Sequence, residues 1–183
     1  MEQIKIGDQI WSSKNLDVDT FRNGDPIPHA ETEEQWEEAG ENLTPAWCYY
    51  ENDLAYGEEY GKLYNWHAVN DPRGLAPEGW HVPSDDEWTT LTDHLGGVDV
   101  AGTKMNVNGT NESGFSGLPG GSRGYDGAFD GIFGFASWWS SSGNYTDGAW
   151  FRFIFQNDEV YRYNTAFVDD DMGNGFSVRC LRD

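Results

Sequence analysis

The side chains best suited to acid–base catalysis or metal binding are sparse in this sequence. Its four histidines are His29, His67, His81 and His94. No two of them stand four residues apart, the spacing that places two ligands on one helix face. We therefore interpret them as structural histidines and predict no metal site.

Two short polar runs could also supply catalytic or metal-binding side chains. Ser140, Ser141 and Ser142 could offer a nucleophile, but no Gly-x-Ser-x-Gly elbow surrounds them. The run 169–171 is all aspartate and could hold calcium, yet it lacks the glycine and the spaced carboxylates of a calcium loop. We interpret it as a solvated acidic turn. The sequence thus predicts no catalytic residue and no cofactor, and we expect the chain not to be an enzyme.

The two cysteines, Cys48 and Cys180, lie far apart in the chain. They either pair across the fold or remain buried free thiols that pack as small apolar side chains. Their spacing does not decide between these alternatives.

The charge balance narrows the possible partners. The chain carries 32 acidic against 11 basic residues, a formal charge of −21 at pH 7. Such a surface repels nucleic acid and anionic lipid, and the sequence shows no local basic patch. No apolar run approaches the ~18 residues of a membrane-spanning helix. We expect a soluble chain without membrane insertion, trimmed of a leader and located at a cell surface, outside the cell or on a virion.

Two helices carry clear start signals. Residues 31–39 form a short acidic segment with Trp36 as its apolar anchor. The stronger helix begins after Ser84, which forms a capping box with Glu87, and Trp88 opens its apolar face. Both helices end at glycines, which favour the backbone conformation found after a helix.

The rest of the chain favours strands, turns and packed loops. Residues 3–11 alternate as a β-hairpin, and 99–105 have the pattern of a further short helix. We interpret 53–61 as an irregular acidic loop and 106–135 as a long glycine-rich loop packed by its own aromatic side chains. With nine Trp, nine Tyr and ten Phe, aromatic rings supply much of the core. The 183 residues are predicted to form one domain.

The last part of the chain, residues 138–183, has the composition of a binding surface. It interleaves aromatic rings with Ser, Asn, Asp and Thr, a combination that antibody binding loops also use. Alternation along its first predicted long strand places Trp150 and Arg152 on one face and three phenylalanines on the other. We expect the phenylalanines to be core, with Trp150 and Arg152 pointing outward beside Tyr161 and Tyr163.

We therefore predict that ligand binding falls between residues 143 and 174, on strands at 149–155 and 160–167 and on the loops beside them. The candidate residues have polar or aromatic side chains that are expected to be accessible to a ligand on these strands and loops. The candidate ligand-binding residues are Asn144, Tyr145, Asp147, Trp150, Arg152, Tyr161, Tyr163, Asn164, Phe167 and Asp169. The flanking residues 138–141 and 176–181 are predicted to be framework.

Six sequence blocks, spread over nearly the whole chain, form a recognisable set. They are Asn15-Leu16, 21–27 (FRNGDPI), 61–66 (GKLYNW), 73–84 (RGLAPEGWHVPS), 114–121 (GFSGLPGG) and 176–180 (FSVRC). In this order they resemble the Fibrobacter succinogenes major paralogous domain family. The resemblance implies an α+β domain with a C-type lectin-like fold: a small antiparallel sheet, two flanking helices and long Gly-rich loops that carry the binding surface.

The chain departs from the family pattern and from true C-type lectins in ways that bear on chemistry. Ala76 stands where the family commonly has a cysteine, so a disulfide from that loop to Cys180 cannot form here. The Glu-Pro-Asn and Trp-Asn-Asp motifs of true C-type lectins are absent. Calcium-dependent sugar binding is therefore not implied by the fold.

The implied lectin-like fold is also similar to that of the variable proteins of diversity-generating retroelements. In those proteins, adenine-directed mutagenesis rewrites selected codons near the C-terminus. The side chains reachable from an asparagine codon, such as Asn, Tyr, Asp, Ser and Thr, are dense between residues 144 and 171. Ordinary polar loops have much the same composition, so both explanations stay open.

The resulting hypothesis is a non-catalytic, receptor-like or adhesin-like module that binds a protein or glycan ligand through its C-terminal strands. The alternative is a structural or assembly module that packs the same surface against a partner subunit, and the oligomeric state is left open. A third hypothesis is an enzyme like those that generate formylglycine, which share the implied fold. That chemistry requires a redox-active cysteine pair near the substrate, and the two cysteines here lie far apart in the chain.

Overall fold

The computed structural model describes residues 1–143, 148–155, 159–167 and 172–183, except for the side chain of Phe167. Over these residues the chain is a mixed α+β protein. The strands are β1 (Gln3–Ile6), β2 (Gln9–Ser12), β3 (Trp47–Cys48), β4 (Leu63–Tyr64), β5 (Trp80–His81), β6 (Gly120–Arg123), β7 (Phe129–Ile132), β8 (Phe135–Gly143), β9 (Ala149–Phe155), β10 (Tyr161–Asn164) and β11 (Leu181–Arg182). The helices are α1 (Glu33–Glu41), α2 (Leu54–Tyr60), α3 (Trp66–Val69), α4 (Asp85–His94) and α5 (Val98–Met105), with short 3-10 turns at Tyr50–Asn52 and Thr165–Phe167.

These strands form three sheets. The first has the order β1-β2-β11-β5, the second has the order β10-β9-β8-β6-β7, and β3 pairs with β4. The described strand pairs are antiparallel, with the exception of β6 and β8, which run parallel through Gly121 and Ala136. The predicted hairpin at the start of the chain is confirmed as β1 and β2.

The first sheet joins the two ends of the described chain, because β11 lies between β2 and β5. Just before β11, Arg179 is fully buried and donates to three backbone carbonyls and to Asn15 Oδ1, at 2.8 Å each. Burial lowers the pKa of Arg179 to about 9. Asn15 Oδ1 also accepts from the indole N–H of Trp138 on β8. Asn15 and Arg179 therefore connect the first sheet to the second.

Helix α4 begins where the sequence predicts. Helix α1 begins two residues later than predicted and runs through Gly40 to Glu41, so the prediction that it ends at a glycine is wrong. Thr32 and Ser84 are the N-caps of α1 and α4, and each makes a capping box, with Gln35 and Glu87 respectively. Trp36 is 1% exposed, which confirms it as the anchor of α1. The apolar face of α4 lies in a core cluster that also contains aromatic rings from β2 and β8.

Residues 53–61 were predicted to be an irregular loop, and this prediction is wrong. They contain α2, which Asp53 caps by accepting from the N–H of Ala55, and which ends at Gly61 with a φ of 75°. The glycine within the segment was misleading. A Cβ on Gly57 would lie 2.4 Å from the ring of Tyr49, so glycine is needed there for close packing and not for a turn.

The glycine-rich segment 106–135 contains two strands, β6 and β7, that the sequence did not predict. Gly121 lies inside β6 at a φ of 64°, and a Cβ there would meet Asp130 O at 2.5 Å. Phe115 is fully buried, as expected of a self-packed segment, but Phe133 is 60% exposed. The resemblance implied two helices, whereas the described residues contain five.

Buried aromatic residues dominate the core around β8. Trp138 and Trp139 are both fully buried, in two different core clusters on either side of the strand, and this burial agrees with their prediction as framework. Cys48 and Cys180 are buried free thiols, and burial raises the pKa of each to about 12. Over the described residues, no helix is long and apolar enough to cross a membrane.

Candidate functional site

The register of β9 and β10 decides which of the candidate residues lie together. In this antiparallel pair, Tyr161 lies opposite Phe153, and Tyr163 lies opposite Phe151. Directly opposed residues point to the same side of a sheet. The two tyrosines therefore share the face of the phenylalanines, and the prediction that they lie beside Arg152 is wrong.

The face that carries Arg152 is covered by the start of α4. Arg152 is 1% exposed and donates to Asp85 Oδ1 at 2.7 Å, to the Asp85 carbonyl at 2.9 Å and to Thr89 Oγ1 at 3.1 Å. Arg162, opposite Arg152 in the register, donates to both carboxylate oxygens of Asp85 at 2.6–3.1 Å. Asp85 is thus held between two guanidinium groups, and the prediction that Arg152 points outward is wrong.

The electrostatics of this cluster keep Asp85 charged. Burial by itself raises the pKa of Asp85, but the hydrogen bonds and charges of Arg162 and Arg152 outweigh it and hold that pKa below its usual range. The carboxylate in return raises the pKa of Arg162, whereas the deeper burial of Arg152 lowers the pKa of that guanidinium. An acid whose pKa is lowered in this way does not exchange protons near neutral pH, so the cluster is suited to holding α4 on the sheet.

The other candidates on this face take part in packing. The Arg162 guanidinium lies over the Trp150 ring, 3.6 Å from its centroid. Asn164 is 2% exposed, and its Oδ1 accepts from the N–H of Ala166 at 3.0 Å. Arg152 and Asn164 are therefore too buried to meet a ligand, and Trp150 offers only a half-buried ring.

The opposite face of the sheet is an open aromatic surface, which we call the aromatic face. It consists of Phe135 on β8, Phe153 and Phe155 on β9, and Tyr161 and Tyr163 on β10. Each of these residues is partly or largely exposed, with Phe155 at 46%. The ring centroid of Phe153 lies 5.0–6.4 Å from those of the other four. The rings thus form one contiguous patch.

Buried aromatic rings adjoin this patch on the same face of the sheet. Phe151 is 2% exposed and contacts Tyr163 with ring centroids 5.7 Å apart. Phe151 and Trp139 both pack on Phe176, at 4.8 and 4.4 Å between centroids. Trp139 also donates its indole N–H to the Tyr64 carbonyl at 2.7 Å. The exposed rings therefore adjoin a fixed set of buried rings, which reduces the entropy that a ligand must remove on binding.

Several predicted ligand-binding residues lie outside the described part of the chain. They are Asn144, Tyr145, Asp147, Asp169 and the side chain of Phe167. Conversely, the sequence reasoning missed Phe135, Phe153 and Phe155, because it assigned the phenylalanines of the strand 149–155 to the core and placed Phe135 in a self-packed loop. Tyr161 and Tyr163 in the next strand were the signal available in the sequence. The hydroxyl of a tyrosine usually reaches water or a polar partner, so these residues favour an accessible face.

Titratable groups that converge elsewhere stabilise the framework. His81 lies between Glu87 Oε1 at 2.9 Å and Asp183 Oδ1 at 2.7 Å, which ties the residue after β11 to α4. Burial lowers the pKa of His81, but the hydrogen bonds and charges of the two carboxylates outweigh it and raise that pKa. An open groove of about 330 Å³ runs past this histidine. In the residues the structure describes, no three His, Cys, Asp or Glu side chains form a group that could hold a metal ion.

The molecule is thus an α+β protein whose late strands form a sheet with one covered face and one open aromatic face. A model of the Fibrobacter succinogenes major domain matches residues 4–182. The chain therefore belongs to this family, as the six sequence blocks predict. No curated protein and no solved structure shows a significant match to the chain.

Proposed function

We propose that this chain is a non-catalytic ligand-binding module, receptor-like or adhesin-like, that captures a protein or glycan with its aromatic face. The observation that carries the proposal is the contiguous patch of exposed rings beside buried aromatic rings. Contiguous exposed apolar surface on a soluble protein usually marks an interaction site. Tyrosine and phenylalanine also supply a large contact area with few rotatable bonds, so they lose little entropy on binding.

A C-type lectin-like arrangement of this domain is part of the proposal. Two features support it: the last strand β11 pairs between β2 and β5 near the chain ends, and the late strands β8, β9 and β10 form a separate sheet. In that arrangement the loops beside the late strands carry recognition, and the module acts at a cell surface, outside the cell or on a virion.

The proposal is tested with the triple variant Phe155→Ala/Tyr161→Ala/Tyr163→Ala. Wild-type protein is screened on a glycan array and against a library of extracellular proteins, and each hit is titrated with both proteins. We expect the variant to bind at least about ten-fold more weakly, a loss of roughly 1.4 kcal/mol or more. The matched control Leu43→Ala, at an exposed apolar residue on another surface, should bind as wild type. Equal binding by the triple variant would refute the proposal.

A structural or assembly module is the competing function for the same surface. Sedimentation velocity at micromolar concentration distinguishes the assembly module from the binding module. A wild-type oligomer that becomes monomeric in the triple variant would show that the aromatic face packs against a second copy of the chain. A wild-type monomer that binds a ligand supports the binding module.

We also propose that the residues between 144 and 171 are diversified by a retroelement. Their density in side chains reachable from asparagine codons supports the idea. The source genome should then hold a reverse transcriptase gene nearby and a near-copy of this coding segment that differs only at adenines. Absence of both would remove diversification from the proposal and leave the binding function standing.

A further inference from the structure

A second aromatic surface lies at the opposite edge of the same five-stranded sheet. It is formed by Tyr56 and Tyr60 of α2 and by Phe133 in the turn between β7 and β8, and we call it the β7-edge cluster. Its three ring centroids lie 6.2–6.3 Å from one another. Phe133 is 60% exposed, and Leu54 at the start of α2 is 61% exposed. This edge therefore presents Phe133 and Leu54 to solvent, whereas Tyr60 is 6% exposed and packs inside the cluster.

Phe133 holds a backbone conformation that a bulky residue rarely adopts, with a φ of 64°. Glycine would occupy this conformation without a steric penalty. The fold gains little from the ring, because most of it is exposed. Leu43 is also exposed and has a positive φ. What distinguishes Phe133 is that its ring packs with those of Tyr56 and Tyr60 in one cluster.

Exposed carboxylates lie on the elements beside this cluster, Glu59 on α2 and Asp130 on β7. Glu59 lies close enough to Tyr60 to add to the effect of burial, and together they raise the pKa of Tyr60 to about 12. Beneath the cluster, burial and the charges of Glu51 and Asp130 raise the pKa of Tyr50, which contacts the ring of Tyr56. The surface at this edge is therefore both aromatic and negatively charged.

Nearby basic residues do not neutralise that charge at the surface. Arg123 contacts Phe129 of β7 but is 1% exposed and donates to the carbonyls of Ala30, Thr32 and Gly127. Across the molecule, Arg123, Arg152 and Arg179 are all buried. The exposed surface of a chain with a formal charge of −21 is correspondingly short of positive groups.

We propose that the β7-edge cluster docks a basic segment of a partner protein, with a lysine or arginine side chain lying over the Phe133 ring. An aromatic face attracts a cation, and neighbouring carboxylates strengthen that attraction. A second copy of this chain is disfavoured as the occupant, because two surfaces of the same negative sign repel each other. The proposal is independent of the aromatic face and of its ligand.

The test uses a fluorescein-labelled peptide of eight residues that alternates arginine and glycine, followed by anisotropy at two salt concentrations. We expect saturable binding to wild type that weakens about two- to five-fold in Phe133→Gly, the ordinary size of a cation–π contribution at an exposed site. The melting temperature should not fall, because glycine relieves the positive φ. Leu43→Gly is the matched control: Leu43 is 68% exposed and has a φ of 54°, and its replacement should leave peptide affinity unchanged.

A second pair of variants separates local recognition from bulk charge. Glu59→Gln/Asp130→Asn should weaken peptide binding more than Asp86→Asn/Asp93→Asn, which removes the same charge from exposed positions on α4. Absence of peptide binding by wild type, or equal binding by wild type and Phe133→Gly, would overturn the proposal. So would a fall in the melting temperature of Phe133→Gly, which would make the ring a packing element. A wild-type dimer that this variant dissociates would assign the surface to a second copy instead.

Discussion

The two faces of β9 show how one strand can be core along one side and become accessible on the other, where Phe151 is still buried but Phe155 is exposed. On the covered side, Arg152 is 1% exposed and bonded to Asp85 of α4. On the open side, Phe155 is 46% exposed and joins a patch of rings. A simple scale of hydrophobicity predicts the reverse. The difference shows that coverage by a helix, and not the polarity of the side chain, decided which face is interior.

Arg152 tolerates burial because its charge is compensated by a carboxylate and by further hydrogen bonds. A buried ion costs several kcal/mol unless a partner of opposite charge and further hydrogen bonds compensate it. Asp85, at the first turn of α4, provides that partner for Arg152 and also binds Arg162 from the neighbouring strand. No comparable helix covers Phe153 and Phe155 among the described residues, so their rings remain accessible.

The largest expected effect comes from breaking the covered face. Asp85→Ala leaves the buried Arg152 without its carboxylate and should lower the free energy of unfolding by about 3–5 kcal/mol. Urea denaturation measures this value. The control is Asp86→Ala, the next residue in the same helical turn but exposed, which should change stability by less than about 0.5 kcal/mol. Similar values for the two variants would contradict the central role of Asp85.

Removing a buried ring beside the aromatic face should cost nearly as much. Trp139 is fully buried beside the aromatic face, and Trp139→Ala should destabilise the protein by roughly 3–5 kcal/mol through the cavity that it leaves. Trp150→Ala, at a half-buried ring on the other side of β9, should cost clearly less. Thermal unfolding of both variants tests the ranking, which fails if Trp150→Ala is the more destabilised.

The pH dependence of stability should report Asp85 and His81 separately. The pKa of Asp85 is lowered in the folded state, so its contribution is present at neutral pH and is lost as the pH falls below its usual value of 3.8 through the lowered one. The pKa of His81 is raised, so its contribution is present below pH 6.5 and is lost as the pH rises through the raised value. Denaturation curves from acid to alkaline pH measure both effects.

Two neutral variants assign these effects to their residues. In Asp85→Asn the acid-side loss should shrink while the alkaline-side loss persists. In His81→Gln the opposite should hold. If both variants keep the wild-type pH profile, the ionisable groups that control stability lie elsewhere.

The smallest expected effect belongs to the exposed rings. Phe155→Ala and Tyr161→Ala remove side chains that keep much of their contact with water, and each should change the free energy of unfolding by less than about 1 kcal/mol. If either variant lowered the free energy of unfolding by more than about 2 kcal/mol, that ring would belong to the core, and the proposed difference between the two faces of β9 would be wrong.

Local signals predicted much of the framework. The cap at Ser84, the anchor Trp36 and the hairpin of β1 and β2 were all predicted from the sequence. The missed elements share a cause. In α2 and β6, glycines at Gly57 and Gly121 serve close packing against distant residues, and a single sequence cannot distinguish that use from a turn.

The candidate site was predicted only in part, for a similar reason. The sequence indicated residues 143–174, and within them Tyr161 and Tyr163 do lie on the aromatic face. Arg152 was misplaced because alternation groups residues by face without saying which face is covered. The register that sets Tyr163 opposite Phe151 pairs residues of different strands, so the pattern within either strand does not predict it.

The sequence by itself determined the family, the main helix starts and the strongly negative charge, because these depend on residue identity and on neighbours within one or two turns. Only the tertiary structure decided which side of β9 is interior. That choice depends on the packing of α4 against Arg152, and on the pairing of β10 with β9. The first contact joins residues 67 positions apart, and the second joins residues in different strands. In both, the free energy of burying a charge or a ring depends on the side chain that lies opposite it.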